Sequence, residues 1–176
     1  MNIPIGSNFC VSEIGPQDAG AYIEHLRERE IYERTLTVPY PYTPEHAKDW
    51  IQRVAEEKNK MDRSINWAIR RPDGYLVGGI GYHDIEVGKS HRAEIGYWLA
   101  KPYWGQGLMT EAVKKMTDYG FDEFGLVRVV ANVFIFNPAS ARVLVKAGYQ
   151  LEGTLRQHYK KDGKIFDGQL YSKIRV

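Results

Sequence analysis

The stretch Tyr103-Trp104-Gly105-Gln106-Gly107-Leu108-Met109-Thr110-Glu111-Ala112-Val113 constrains this chain more than any other. Before it runs Ile95-Gly96-Tyr97-Trp98-Leu99-Ala100, an apolar segment that reads as a strand. Within and beyond it, apolar or small residues recur three and four apart at Met109, Ala112, Val113, Met116 and Gly120, the spacing of one face of an α-helix. The sequence therefore predicts a strand, a glycine-containing turn and a helix start. Glycines at 105 and 107 let the backbone pass close to a ligand, and the first N–H groups of a helix have no partner within it. With the positive end of the helix dipole, they favour an anion. An ordinary strand-to-helix turn also suits two glycines, and the stretch alone leaves both readings open.

Composition narrows the classes. A length of 176 residues fits one domain with a sizeable core. The 24 basic against 22 acidic residues leave a net charge of +2, too small to argue for direct nucleic-acid binding. The single cysteine, Cys10, excludes an internal disulfide framework and a cysteine cluster for zinc. The five histidines show no metal-ligand spacing, and His-Glu-x-x-His is absent, so no metal is expected. Neither Gly-x-x-x-x-Gly-Lys-Ser/Thr nor Gly-x-Gly-x-x-Gly occurs, which argues against a nucleotide-dependent enzyme. There is no apolar run of the roughly 18 residues that a membrane span needs, and Met1–Gly6 lacks signal-peptide character. The expectation is a cytoplasmic protein without membrane contact.

In chain order, Phe9–Ile14 reads as a first strand. Gly15-Pro16-Gln17-Asp18 starts a helix with Ala19, Tyr22, Ile23 and Leu26 on one face. Val38-Pro39-Tyr40-Pro41-Tyr42 is held irregular by its prolines, and its tyrosines either line a substrate site or pack the loop down. Thr43-Pro44 signals a helix that turns Ala47, Trp50, Ile51 and Val54 inward. Strands at 67–69 and 76–81 flank an Asp73-Gly74 hairpin, and glycines 78, 79 and 81 indicate a bulge or a close backbone approach. Residues 126–133 form a β-branched strand. Asn137-Pro138 caps a short helix with Ala141, Leu144 and Val145 inward, stopped by Gly148. Two final strands, about 149–160 and 164–176, meet at Asp162-Gly163. The order β-α-α-β-β-β-α-β-α-β-β predicts one mixed α/β domain over 1–176.

That order and these motifs resemble the GNAT superfamily of acyl-CoA-dependent N-acetyltransferases over about residues 8–175. Within it the chain looks most like the RimJ/RimL branch, which acetylates N-terminal amines of ribosomal proteins. Four blocks carry the resemblance: Gly96-Tyr97-Trp98-Leu99; Tyr103-Trp104-Gly105-Gln106-Gly107 with Thr110-Glu111-Ala112; Asn137-Pro138-Ala139-Ser140-Ala141; and Gly148-Tyr149-Gln150-Leu151-Glu152-Gly153. The family fold implied is a mainly antiparallel sheet flanked by helices. The superfamily's pyrophosphate loop, Arg/Gln-x-x-Gly-x-Gly/Ala, falls here on Trp104, Gly107 and Met109, of which Gly107 alone matches. The resemblance implies an acetyl-CoA cosubstrate held by Trp104, Gly105, Gln106, Gly107, Leu108, Met109 and Thr110. It further implies that the backbone of Tyr97, Trp98 and Leu99 pairs with the pantetheine arm, and that Asn137 and Ser140 border its thiol end.

Acyl transfer from a thioester to an amine needs a neutral amine, a stabilised oxyanion and a proton for the departing thiolate. At pH 7 roughly a tenth of an α-amine is already neutral, against less than about a thousandth of a lysine side chain. Glu94 lies where several superfamily members carry a catalytic glutamate, and it is the expected base, acting directly or through water. An ion pair with Arg92 is its competing role. Ser140 is the candidate donor to the thiolate, its alternative being membership of the Asn137 cap; Tyr149 could supply the same proton or belong to the core. A backbone N–H in Tyr97–Leu99 would hold the oxyanion. His83-Asp84 reads as acceptor-site border or polar rim. The Arg156, His158, Lys160, Lys161 and Lys164 hairpin reads as a steering surface or a solvated turn. The acceptor is a protein N-terminus or a small-molecule amine, and the branch points to a homodimer. A non-catalytic module that keeps the CoA fold is the rival reading.

Overall fold

A computed structural model describes every residue except Ser7. The elements run β1 (Asn2–Ile5), β2 (Phe9–Glu13), a 3-10 turn (Pro16–Asp18), α1 (Ala19–Leu26), α2 (Arg29–Arg34), α3 (Pro44–Met61), β3 (Asn66–Arg70), β4 (Leu76–His83) and β5 (Arg92–Leu99). A second 3-10 turn (Lys101–Tyr103), α4 (Leu108–Glu123), β6 (Arg128–Phe134), α5 (Pro138–Lys146), β7 (Gln150–Lys161) and β8 (Lys164–Ile174) complete the chain. Strand order is β1-β2-β3-β4-β5-β6-β8-β7, with β5–β6 parallel and β1–β2, β2–β3, β3–β4, β6–β8 and β7–β8 antiparallel. This is the mixed, mainly antiparallel α/β architecture expected from the sequence.

Two elements depart from the sequence reading. Strand β1 was not anticipated; it is short and contains Pro4, which an edge strand tolerates because one side of its backbone needs no ladder partner. Helix α2 is six residues long, too short to show periodicity, and Glu28 at its start makes no side-chain cap bond. Ion pairs Arg29–Glu33 and Arg34–Glu30, each four residues apart, support it.

The residues form two compact units, Met1–Tyr82 with Tyr97–Leu108, and His83–Gly96 with Met109–Val176. In the first, Tyr22, Leu26, Ile31, Tyr42, Ala47, Ala68 and Leu76 make one buried cluster. Helix α3 begins as its sequence dictates: the Thr43 hydroxyl accepts from His46 N–H, His46 Nδ1 accepts from Thr43 N–H, and Pro44 fills the first helical position. Of the two loop tyrosines, Tyr42 is core, whereas Tyr40 is half exposed and faces Tyr32. Arg70 is buried with every N–H engaged. Nε donates to Ser12 Oγ, Nη1 to Asp18 Oδ1 and Gly74 O, and Nη2 to Glu13 O and Asp18 Oδ2, all within 3.0 Å. The glycines of β4 mark a close approach, as their sequence suggested. A Cβ on Gly78 would stand 2.7 Å from the Trp98 carbonyl oxygen, and one on Gly79 2.5 Å from Trp98 Nε1.

In the second unit, α4 buries Met109, Ala112, Val113, Met116 and Gly120, the predicted stripe. Helix α5 buries Leu144 and half-buries Ala141, but Val145 is 59% exposed, which corrects the inward assignment. With 100° per residue, position 145 rotates off the line joining 141 and 144, and a nine-residue helix has too little length to average over the difference. The β7–β8 turn places Asp162 and Gly163 at φ of 50° and 74°, the left-handed pair that a two-residue hairpin requires.

Candidate active site

In the first unit the loop after β5 is shaped by its backbone. Gly105 and Gly107 have φ of 76° and 79°, and a Cβ at either would meet nothing within 4 Å. Conformation, not crowding, therefore demands glycine here. Trp104 Nε1 donates to Leu99 O at 2.7 Å, Gln106 Nε2 donates to Pro102 O at 2.9 Å, and the Arg34 guanidinium lies over the Trp104 ring. These side chains are turned to the protein, and Leu108 and Met109 are buried. A larger residue at 109, where the superfamily pattern has a small one, thus takes its volume into the interior. What the loop offers a ligand is main-chain N–H at the start of a 16-residue helix, a fit for pyrophosphate.

The adjoining β5 segment is fixed from one side. Ala100 N–H donates to Val77 O at 2.8 Å, and the Trp98 indole packs on Gly79 and lies 5.7 Å from the Tyr22 ring. The parallel register of β5 with β6 covers Arg92 to Glu94, and β5 continues to Leu99. His25 also belongs here: buried, it binds Leu76 O through Nε2 at 3.1 Å, a structural role that a lone histidine on a helix face does not announce.

In the second unit Glu94 and Asn132 meet across β5 and β6. Asn132 Nδ2 donates to Glu94 Oε2 at 2.9 Å. The partner is thus an amide 38 residues away rather than Arg92, and no sequence spacing could have named it. Tyr159 on β7 is near enough for the Glu94 charge to act on it. Burial first, and that charge second, push its phenol up to about 12. The His83 ring sits where a side chain at 96 would be, since a Cβ on Gly96 would lie 2.7 Å from His83 Nε2. Residues 94 and 96 share one face of the strand, so the imidazole stands beside Glu94 on that face.

Asn137 is buried and caps α5, its Oδ1 accepting from Ser140 N–H at 3.3 Å. The cap takes the Ser140 backbone N–H. Tyr149 is buried against Thr117, with hydroxyl oxygens 2.7 Å apart. Among the described residues no group of three or more His, Cys, Asp or Glu side chains is placed to hold a metal, and no helix is long and apolar enough to cross a membrane.

Strand β5, a left-handed glycine loop, helix α4 and a carboxylate on β5 together define a class, and the comparison with known families agrees. Residues 8–150 match the Acetyltransferase (GNAT) domain, and the chain belongs to that family. Among its relatives is the uncharacterized N-acetyltransferase YoaA of Bacillus subtilis (strain 168), 42% identical over 114 residues that make up 64% of this chain and 64% of YoaA. The ribosomal-protein-serine acetyltransferase of Escherichia coli (strain K12) is 27% identical over 157 residues, covering 73% of this chain and 87% of that one. A solved structure of RimL, a ribosomal L7/L12 α-N-protein acetyltransferase in complex with coenzyme A, superposes with a TM-score of 0.87 at 19% identity, covering 99% and 98% of the two chains.

Proposed function

We propose that the chain, over 1–176, is one acetyltransferase domain that moves an acetyl group from acetyl-CoA to a protein N-terminal α-amine, such as that of a ribosomal protein, by direct attack. The observation that carries the reading is the backbone-built loop of Gly105 and Gly107 opening α4 directly after β5. The names of the E. coli relative and of RimL support the acceptor class. The same branch supports a homodimer and a cytoplasmic setting.

Acetyl-CoA supplies the activated acetyl thioester. Main-chain N–H groups of Gly105 to Thr110 hold its pyrophosphate, and the backbone of Tyr97 to Leu99 holds its pantetheine arm. The Glu94 carboxylate takes a proton from the acceptor ammonium, directly or through water. The freed nitrogen lone pair forms the C–N bond at the thioester carbonyl while the C–S bond breaks. A main-chain N–H of β5 steadies the oxyanion; the Ser140 hydroxyl gives the leaving sulfur its proton and is reprotonated from solvent, which also receives the second proton shed by the new amide nitrogen. Asn137 holds the start of α5, which carries that serine. No covalent enzyme intermediate is required.

The test has two stages. Acetyl-CoA and CoA at about 100 times their dissociation constant stabilise the fold by about 2.7 kcal/mol, several degrees at this size, whereas ATP does not. Acetyl-CoA is then mixed with peptides bearing N-terminal serine or alanine and with simple amines, and the acetylated nitrogen is located by mass spectrometry. Absence of any thermal shift overturns the reading in favour of a non-catalytic module. Acetylation of the simple amines alone moves the acceptor to small molecules.

A further inference from the structure

We propose that Asn132 is a positioning residue for Glu94, retained at this point of β6 at a cost to the fold. The inference rests on Glu94 being the base.

Three observations meet at this side chain. Its Nδ2 donates to Glu94 Oε2 at 2.9 Å. An ionised carboxylate only accepts, so this bond fixes the amide with nitrogen toward Glu94 and oxygen away. That oxygen, Asn132 Oδ1, is buried and has no hydrogen-bond partner among the described residues. Finally, Asn132 interrupts an apolar surface: its neighbours on the same face of β6, Val130 and Phe134, are 4% and 5% exposed.

Packing alone would choose another residue. A buried carbonyl oxygen without a donor carries its full desolvation penalty, and a branched apolar side chain between Val130 and Phe134 would remove that penalty while burying more apolar surface. What an apolar residue cannot do is hold the carboxylate. The Asn132 N–H restrains one Glu94 oxygen and leaves the other for the acceptor amine. Charged or titratable residues around Glu94 include Tyr159 on β7, His83 at the end of β4, Arg92 on its own strand, and Arg128 on β6, which is in register with Arg92 and is paired with Glu152. Among the described residues the hydrogen bond observed on the carboxylate is the one from Asn132.

The experiment compares wild type with Asn132→Leu, Asn132→Asp and Glu94→Gln. It follows thiol release from acetyl-CoA with a peptide bearing N-terminal serine, across pH, alongside thermal unfolding. Asn132→Leu is expected to melt within about 2 °C of wild type or above it. It keeps KM for acetyl-CoA and loses on the order of tenfold in kcat. Asn132→Asp, which has no N–H to give Glu94 when ionised, loses at least as much in kcat. A structural asparagine would give the reverse pattern, with stability lost and kcat unmoved. Asn132→Leu at the wild-type rate, while Glu94→Gln is impaired, overturns the proposal and leaves the base assignment standing. A melting loss beyond about 5 °C in Asn132→Leu overturns it as well. Glu94→Gln at the wild-type rate overturns both.

Discussion

The Tyr149 hydroxyl lies 2.7 Å from Thr117 Oγ1, and Thr117 Oγ1 lies 2.7 Å from Val113 O in the preceding turn of α4. A carbonyl can only accept, so the threonine proton goes to Val113 and the tyrosine proton goes to Thr117. This locks Tyr149 into the second unit's interior and favours Ser140 as the donor to the thiolate. Tyr149→Phe is expected to cost about 1 kcal/mol, a fall of about 2–4 °C in Tm, with kcat nearly unchanged. Ser140→Ala should show the opposite balance, a clearly lower kcat for whatever change in Tm it brings. Steady-state kinetics with thermal unfolding of both variants checks the pair.

Asp18 neutralises Arg70 inside the first unit, with side chains 3% and 9% exposed. Asp18 Oδ2 also accepts from Gly15 N–H at 2.8 Å, tying the entry of the 3-10 turn to the pair. Removing the carboxylate leaves a buried guanidinium with no counter-charge. Asp18→Ala is expected to lose about 3–5 kcal/mol in urea unfolding. The double variant Asp18→Leu with Arg70→Met should recover much of that loss, because neither charge then remains to be desolvated.

Glu152 receives two N–H groups of Arg128 and the Ser172 hydroxyl, and these donors, the guanidinium foremost, lower it from the ordinary 4.5 to about 2. A carboxylate held below its unfolded value adds stability above that value and loses it as pH falls through the folded one. The window is therefore pH 4.5 down to about 2. Glu152→Gln should flatten the fall of Tm across that window relative to wild type. An unaltered slope would assign the acid sensitivity to other groups.

Gly78 and Gly20 predict opposite signs for the same substitution. A Cβ at 78 runs into the Trp98 backbone oxygen at 2.7 Å, which cannot rotate away, whereas a Cβ at Gly20 in α1 meets nothing within 4 Å. Gly78→Ala is expected to cost about 1–3 kcal/mol through overpacking. Gly20→Ala should gain roughly 0.5–1 kcal/mol through helix propensity. Chemical denaturation of both variants is sufficient.

Gly107 is expected to matter for cofactor affinity more than for folding. At φ of 79° an alanine is strained, and relief of that strain turns the main-chain N–H groups that follow. Gly107→Ala should weaken CoA binding in calorimetry by at least tenfold, while Trp104→Phe, which removes the bond to Leu99 O and shrinks the ring under Arg34 but leaves the loop glycines in place, should weaken it less.

Much of the architecture was legible because its signals are local. Asp73-Gly74 and Asp162-Gly163 specify tight turns by their own backbone preferences, Thr43-Pro44 specifies a helix start, and the Met109–Gly120 stripe has one clear period. The glycines of β4 were readable as a close approach, though not that Trp98 was the approaching group. What was hidden is relational. Asn132 sits in a β-branched run, and its value depends on a carboxylate on another strand. Arg70 reads as one cation among many until Ser12, Glu13, Asp18 and Gly74 converge on it. β1 and α2 were hidden because they are short, and Val145 because a nine-residue helix rotates quickly off its apolar line.

The saturation of Arg70 also bears on ligand choice. All five of its N–H groups are spent on Ser12, Glu13, Asp18 and Gly74, so no incoming phosphate can recruit it without unpicking the first unit's interior. The total of 24 basic side chains therefore overstates the cationic reserve open to an anion. The peptide N–H groups that open α4 are, by contrast, donors whose direction is set once, at folding, and does not change with pH.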